Sequence, residues 1–290
     1  MASASTFNDL SDIGPQAVAH EAEINEVRQR LGINHTYLDG WIFNFLENKN
    51  FNIEETVAKF QRRATFEREE LATFDINDSM RENMRGGVIQ LIGEDKDGRL
   101  TFYVNTRRDF PTAKMREERT KIFDMWLTLG TRLRKGNRNC RITMLINQKD
   151  AGVWKNTDMQ FQSSIALRIA KYYPGVVDKM YIVNMGSVLA KCAKPIFTRM
   201  PAGVSERIQI LTDNDLKRGR LLDLFDVSVL PVELGGQYDC DKQEMFDKFA
   251  ADVEEYWSKL KTGALGGGGT SPPISLKEWE VNQVFGPKLQ

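Results

Sequence analysis

The sequence predicts an α/β fold in which helices flank a mixed β-sheet, preceded by a small all-α bundle at the N-terminus. From Gly86 onward, short apolar or alternating runs typical of strands are interleaved with segments of helical period. Asp95–Gly98 separates two strand-like runs and is typical of a hairpin turn. Lys179–Leu211 has the order strand, helix, strand, which favours parallel strands joined by a right-handed crossover.

The N-terminal bundle is predicted from three short amphipathic patterns. Helices are expected over Gln16–Leu31 and His35–Asn48, and a third helix is expected to begin at Asn52. Glu55 stands three residues after Asn52, as in a capping box. The apolar positions of the three helices are Ile24, Val27, Leu31, Trp41, Phe45, Leu46, Ile53, Val57, Phe60 and Ala64.

The α/β region is expected to hold strands and helices in alternation. Strands are predicted at Val88–Ile92, Leu100–Asn105, Arg141–Asn147, Lys179–Asn184 and Arg207–Leu211. Helices are predicted at Met115–Arg134, Phe161–Tyr172, Ser187–Met200 and Asp241–Lys261.

Four regions are expected along the chain. Residues 1–15 form a flexible arm, residues 16–80 a helical leader and residues 81–262 the α/β domain. Residues 263–290 begin with a Gly-rich linker and end in a tail that contains Trp279. This tail is expected to be disordered, to dock on its own domain, or to bind a protein partner.

Composition narrows the class of protein. Acidic and basic residues balance at 40 each, so no strong net charge favours nucleic acid as a partner. The three cysteines, Cys140, Cys192 and Cys240, are widely spaced and resemble reduced cytosolic thiols. The N-terminus lacks the basic start and apolar run of a signal peptide, and no apolar segment approaches the length of a membrane span. We therefore expect a soluble, cytoplasmic protein that contacts membranes only at their surface.

Catalytic signatures are missing from the sequence. The only histidines, His20 and His35, lie in the leader, which disfavours a histidine-based triad or a histidine-ligated metal site in the α/β region. The sequence also lacks a G-x-S-x-G elbow, a phosphate loop ending in Gly-Lys-Ser/Thr and a G-x-G-x-x-G motif. We expect no enzyme activity, no metal and no cofactor.

Several ordered segments carry a resemblance to a known family. They are YYPGVVDKMYIVN, the apolar helix ending in KPIFTRM, the strand ERIQIL and the ending LPVELGG. WIFNFLENKNFNIEETVAKFQRR and GEDKDGRLTFYVNTRRDF extend the likeness toward the N-terminus. Together they resemble the CRAL-TRIO family of lipid-binding and lipid-transfer proteins over roughly residues 38–240. The resemblance implies an internal lipid pocket closed by a gate helix.

The resemblance also implies the site residues. The gate helix is Ser187–Met200, with Lys191 and Lys194 facing lipid headgroups. The residues expected at the pocket or on the gate are Val188, Leu189, Cys192, Ala193, Ile196, Phe197, Met200, Tyr181, Val183, Ile142 and Met144. From the residues alone, ordinary core is the favoured interpretation of this helix, whereas the resemblance favours a gate.

Headgroup positions depart from the family pattern. Of the residues that bind phosphatidylinositol in the family, only Lys49 and Arg207 keep the charge, whereas Gly175 replaces an acidic residue. Ile142 and Met144 stand where phosphatidylcholine-binding members carry hydroxyls. The ligand is therefore expected to be a sterol, a terpenoid, a fatty acid or a phospholipid held in another way.

Two functions follow from these expectations. The first is a carrier that binds a lipid or other hydrophobic small molecule and carries or presents it between membranes. The second is a protein-interaction or signalling module on the same fold, with little or no lipid transfer. A lipid retained by the purified protein would separate the two.

Overall fold

The computed structural model describes residues 10–32, 37–132, 140–152, 155–186, 191 and 205–261. The strands of these residues are β1 (Ile89–Glu94), β2 (Leu100–Asn105), β3 (Ile142–Asn147), β4 (Val177–Val183) and β5 (Ile208–Ile210). The α-helices are α1 (Leu10–Ile13), α2 (Pro15–Ala19), α3 (Glu21–Leu31), α4 (Asp39–Asn48), α5 (Ile53–Phe66), α6 (Asp78–Arg85), α7 (Arg116–Arg132), α8 (Met159–Tyr172), α9 (Asp213–Lys217), α10 (Arg220–Leu224) and α11 (Gln243–Leu260).

The five strands form one mixed sheet in the order β1-β2-β3-β4-β5. β1 and β2 are antiparallel and are joined by the predicted hairpin turn, whereas β2, β3, β4 and β5 run parallel. The parallel strands require crossover connections, and α7 and α8 supply two of them. The structure confirms the predicted α/β fold with helices flanking a mixed sheet.

The sheet separates two apolar clusters. Alternate residues of a strand point to opposite faces, so Met144 of β3 and Met180 of β4, which are paired in register, share one face. That face packs against α7, α8 and the N-terminal helices in the larger cluster. Leu145 and Tyr181, one position further along their strands, lie on the other face and pack in a smaller cluster with residues of α9 and α10.

The N-terminal helices form the expected bundle with three differences. The helix predicted over Gln16–Leu31 is interrupted at His20, which separates α2 from α3. The helix expected from His35 begins at Asp39. The predicted arm of residues 1–15 is too long, because α1 begins at Leu10 and its apolar side chains pack against the core. The Asn52 side chain accepts from the main-chain N–H of Glu55 over 3.0 Å and so caps α5 as predicted, while the Glu55 carboxylate pairs with Lys49.

Part of the predicted architecture lies outside the described residues. The gate helix, Ser187–Met200, is in this group except for Lys191, which is exposed. The linker and tail of residues 263–290 are also outside the described residues. Among the helices that the structure describes, none combines the length and the apolar composition needed to cross a bilayer.

Candidate functional site

A cavity of about 220 Å³ lies between the sheet and the helices α7 and α8. The strand residues that line it are Ile89, Val104, Met144, Ile146, Met180, Ile182 and Ile208. The helix residues that line it include Arg119, Ile122, Phe123, Phe161, Gln162, Ile165, Ala166 and Ile169. Its walls are thus largely apolar, as is usual for sites that bind small molecules.

The helix periodicity explains which side chains reach the cavity. Residues three and four apart share a helix face, so Arg119, Ile122 and Phe123 of α7 lie side by side. On α8, Ala166 is 4% exposed and lines the cavity. The next residue, Leu167, points away from the cavity side and is 63% exposed.

Polar residues gather at one end of the cavity. Thr106 and Gln148 immediately follow β2 and β3, which places this end beyond the carboxyl edge of the parallel strands. This edge is the usual ligand-binding position in α/β sheets. Asp109, Asn156 and Asp158 contribute to the same lining.

Two ion pairs organise this polar end. Arg119 donates from Nη2 to Asp109 Oδ2, and its guanidinium carbon lies 4.2 Å from the centre of the Phe161 ring. Asp158 accepts from Arg116 Nε over 2.7 Å and from the amide of Phe161 over 3.0 Å, which caps the N-terminus of α8. Each carboxylate therefore has a guanidinium partner.

Burial acts on both members of the first pair. It raises the pKa of the Asp109 carboxyl, although the Arg119 guanidinium acts in the opposite sense. It also lowers the pKa of the Arg119 guanidinium, against the effect of the Asp109 and Asp158 carboxylates. The charged forms of both groups are therefore incompletely solvated, and a polar ligand atom at this end would stabilise them.

The strand residues that the sequence assigned to the pocket divide between the two faces of the sheet. Met144 lines the cavity, and Ile142 is buried on the same face without lining it. The prediction for Tyr181 and Val183 is corrected, because both lie in the cluster on the opposite face. Their neighbours Met180 and Ile182 line the cavity instead, since side chains alternate along a strand.

The expected headgroup cations lie away from this cavity. Lys49 Nζ is 2.9 Å from a carboxylate oxygen of Glu55, at the start of α5. Arg207 donates to the carbonyl of Val177 over 2.6 Å and lies 4.0 Å from the Asp178 carboxylate. Both cations are thus engaged within the protein.

The other residues predicted for the gate lie outside the described part of the chain. They are Val188, Leu189, Cys192, Ala193, Lys194, Ile196, Phe197 and Met200.

Gly175 shows why an acidic side chain is missing after Tyr173-Pro174. Its φ is +73°, in the left-handed region that favours glycine. A Cβ at this position would stand 2.9 Å from the carbonyl oxygen of Asn44 in α4. The close packing of the N-terminal bundle on this turn therefore excludes a side chain here.

Within the part of the chain that the structure describes, no group of three or more His, Cys, Asp or Glu residues is arranged to hold a metal ion. Among the described residues that line the cavity, the two carboxylates, Asp109 and Asp158, are each paired with an arginine.

An apolar cavity under two helices, with polar groups beyond the strand ends, is an arrangement typical of ligand-binding α/β domains. The fold is similar to a crystal structure of Sfh5, with a TM-score of 0.51 and 13% sequence identity, covering 83% of this chain and 92% of that chain. Residues 84–236, more than half of the chain, match the CRAL/TRIO domain, and the chain belongs to this lipid-binding family. Residues 11–70 match a domain of unknown function, DUF7353. The match confirms the family resemblance found in the sequence.

Proposed function

We propose that this protein binds a hydrophobic lipid in the cavity between the sheet and α7 and α8, and carries or presents it between membranes. The observation that carries the proposal is the apolar lining of that cavity. Burying an acyl chain there contributes about 0.8 kcal/mol per methylene relative to water. A lipid in a bilayer is already out of water, so exchange between bilayer and cavity is nearly balanced, as transfer requires.

The gate is part of the same proposal. Met185, two residues after the end of β4, lines the cavity. Ile208 of β5, on the far side of the proposed gate, lines it too. The chain therefore leaves the cavity at one residue and returns at the other, which supports Ser187–Met200 as the element that covers the opening. Lys191 and Lys194 would then face the headgroups of a membrane to which the protein attaches transiently.

The proposal includes no catalytic step and no cofactor. The paired carboxylates at the polar end position α7 and α8 instead of offering a free acid or base. We also propose that the protein works in the cytoplasm, where it would meet membrane surfaces without crossing them.

Native mass spectrometry of the purified protein, followed by solvent extraction, tests the proposal. A lipid bound at one per chain would support it and would name the ligand class. A protein that is empty, and that takes no lipid from mixed vesicles, would overturn it. That second result would favour a protein-interaction role, with the tail around Trp279 as the first segment to investigate.

A further inference from the structure

Two polar atoms at the polar end of the cavity are buried without a hydrogen-bond partner among the described residues. They are Nη1 of Arg119 on α7 and Oε1 of Gln148, directly after β3. Both residues line the cavity. A buried polar atom without a partner is costly, so each is expected to gain one when the cavity is filled.

Arg119 is held in place by contacts that do not involve Nη1. Its side chain is 10% exposed, its Nη2 pairs with Asp109, and its guanidinium stacks on Phe161. Since Asp109 already balances its charge, and Asp158 balances Arg116, this end of the cavity is electrically neutral. It offers a donor without an excess positive charge.

The backbone at Gln148 is fixed, because its main-chain N–H donates to the carbonyl of Val183 over 2.9 Å. The side chain of Asn156, which also lines this end of the cavity, makes its hydrogen bonds within the protein. Its Nδ2 donates to the carbonyls of Arg107 and Asp109, and its Oδ1 accepts from the amide of Gly152. The free acceptor of Gln148 and the free donor of Arg119 therefore distinguish this end of the cavity.

Building on the proposed lipid-binding function, we infer that the ligand is an uncharged lipid whose head carries a hydroxyl group. A hydroxyl both accepts and donates, so it can supply the acceptor that Arg119 Nη1 lacks and the donor that Gln148 Oε1 lacks. A carboxylate or phosphate would add an unbalanced charge to a buried neutral site. An ester only accepts and would leave Gln148 Oε1 without a donor.

A set of three lipids with the same 18-carbon chain separates these cases. Labelled oleyl alcohol, methyl oleate or oleate is placed at trace level in phosphatidylcholine vesicles, and the ligand taken up per protein is measured after separation. The wild type is expected to take up the alcohol about tenfold better than the ester, and oleate least.

The variants assign the effect to each atom. Gln148→Leu should lower alcohol uptake about tenfold and leave the ester within twofold, whereas Arg119→Lys, which keeps a cation beside Asp109, should weaken both about tenfold. Gln209→Leu, at an exposed position of β5, is the matched control and should change neither. Tightest uptake of oleate, or equal uptake of alcohol and ester by the wild type and Gln148→Leu, would overturn the inference alone. Failure of the wild type to take up any of the three lipids would overturn the proposed function as well.

Discussion

Arg63 of α5 donates a hydrogen bond to the Thr128 hydroxyl of α7 over 3.1 Å and so joins the N-terminal bundle to the cavity domain. The Arg63 side chain is fully buried. Its Nε lies 2.9 Å from Oε1 of Glu67, and its guanidinium carbon lies 4.4 Å from the centre of the Tyr173 ring. A buried cation thus contacts residues of both parts of the chain.

Replacing Arg63 with Met is expected to lower the free energy of unfolding by about 3 kcal/mol or more. The loss follows because Glu67 would remain buried without its cation, and Thr128 would lose a donor. Urea unfolding, monitored by circular dichroism, measures this loss of stability. Arg62→Met, at the exposed neighbouring position, should change stability by less than about 0.5 kcal/mol. Equal, small losses for both variants would show that the buried cation does not stabilise the junction.

Arg81 of α6 and Glu254 of α11 give a pH-dependent prediction. Arg81 Nε lies 2.9 Å from Oε1 and 3.0 Å from Oε2 of Glu254, and this hydrogen bonding lowers the pKa of the carboxyl. A lowered folded-state pKa contributes stability above the unfolded value of about 4.3, and this stability is lost as pH falls through the folded pKa. Because both side chains are about one-third exposed, the contribution is less than about 1 kcal/mol.

Glu254→Gln should therefore destabilise the protein slightly at pH 7 and not at all once the wild-type carboxyl is protonated. Urea unfolding of both proteins at several pH values provides the comparison. Glu244→Gln, at an exposed position in the first turn of α11, is the control. A difference between wild type and Glu254→Gln that stays constant down to the lowest pH would contradict the prediction.

The proposed gate predicts a loss of uptake without a loss of fold. Replacing Leu189 and Phe197 together with Asp should abolish lipid uptake from vesicles, because charged side chains disfavour contact with both the lipid and the bilayer. The circular dichroism spectrum and the unfolding midpoint should stay close to those of the wild type. Normal uptake by this double variant would remove Ser187–Met200 from the proposal.

Local signals predicted many element boundaries. β2 begins and ends where its alternating run does, at Leu100 and Asn105. The start of α5 follows from the cap at Asn52. α6 was not predicted, because its pattern offers only two apolar residues, Met80 and Met84. In each case the outcome depended on how many local cues agreed.

The sequence of β4 does not show which of its side chains face the cavity. Met180, Tyr181, Ile182 and Val183 are all apolar and all buried, because a central parallel strand is covered on both faces. Alternation then carries no information about which face meets the cavity. Only the tertiary arrangement places Met180 and Ile182 there.

The polar end of the cavity was also missed, although one signal was present. Arg119 stands three residues before Ile122 and thus interrupts the apolar face of α7 with a cation. Gln148 had no comparable signal, because its role depends on where β3 ends relative to α7. Convergence of residues that are distant in sequence is what the local pattern cannot supply.

The most direct test of the cavity compares two neighbouring substitutions on α8. Ala166→Trp fills the cavity, whereas Leu167→Trp adds the same side chain on the exposed side of the helix. Transfer of a fluorescent lipid between donor and acceptor vesicles is measured for both variants and the wild type, after circular dichroism has shown that both are folded. The account predicts that Ala166→Trp loses at least about nine-tenths of the transfer rate while Leu167→Trp keeps the wild-type rate. Wild-type transfer by a folded Ala166→Trp protein would contradict it.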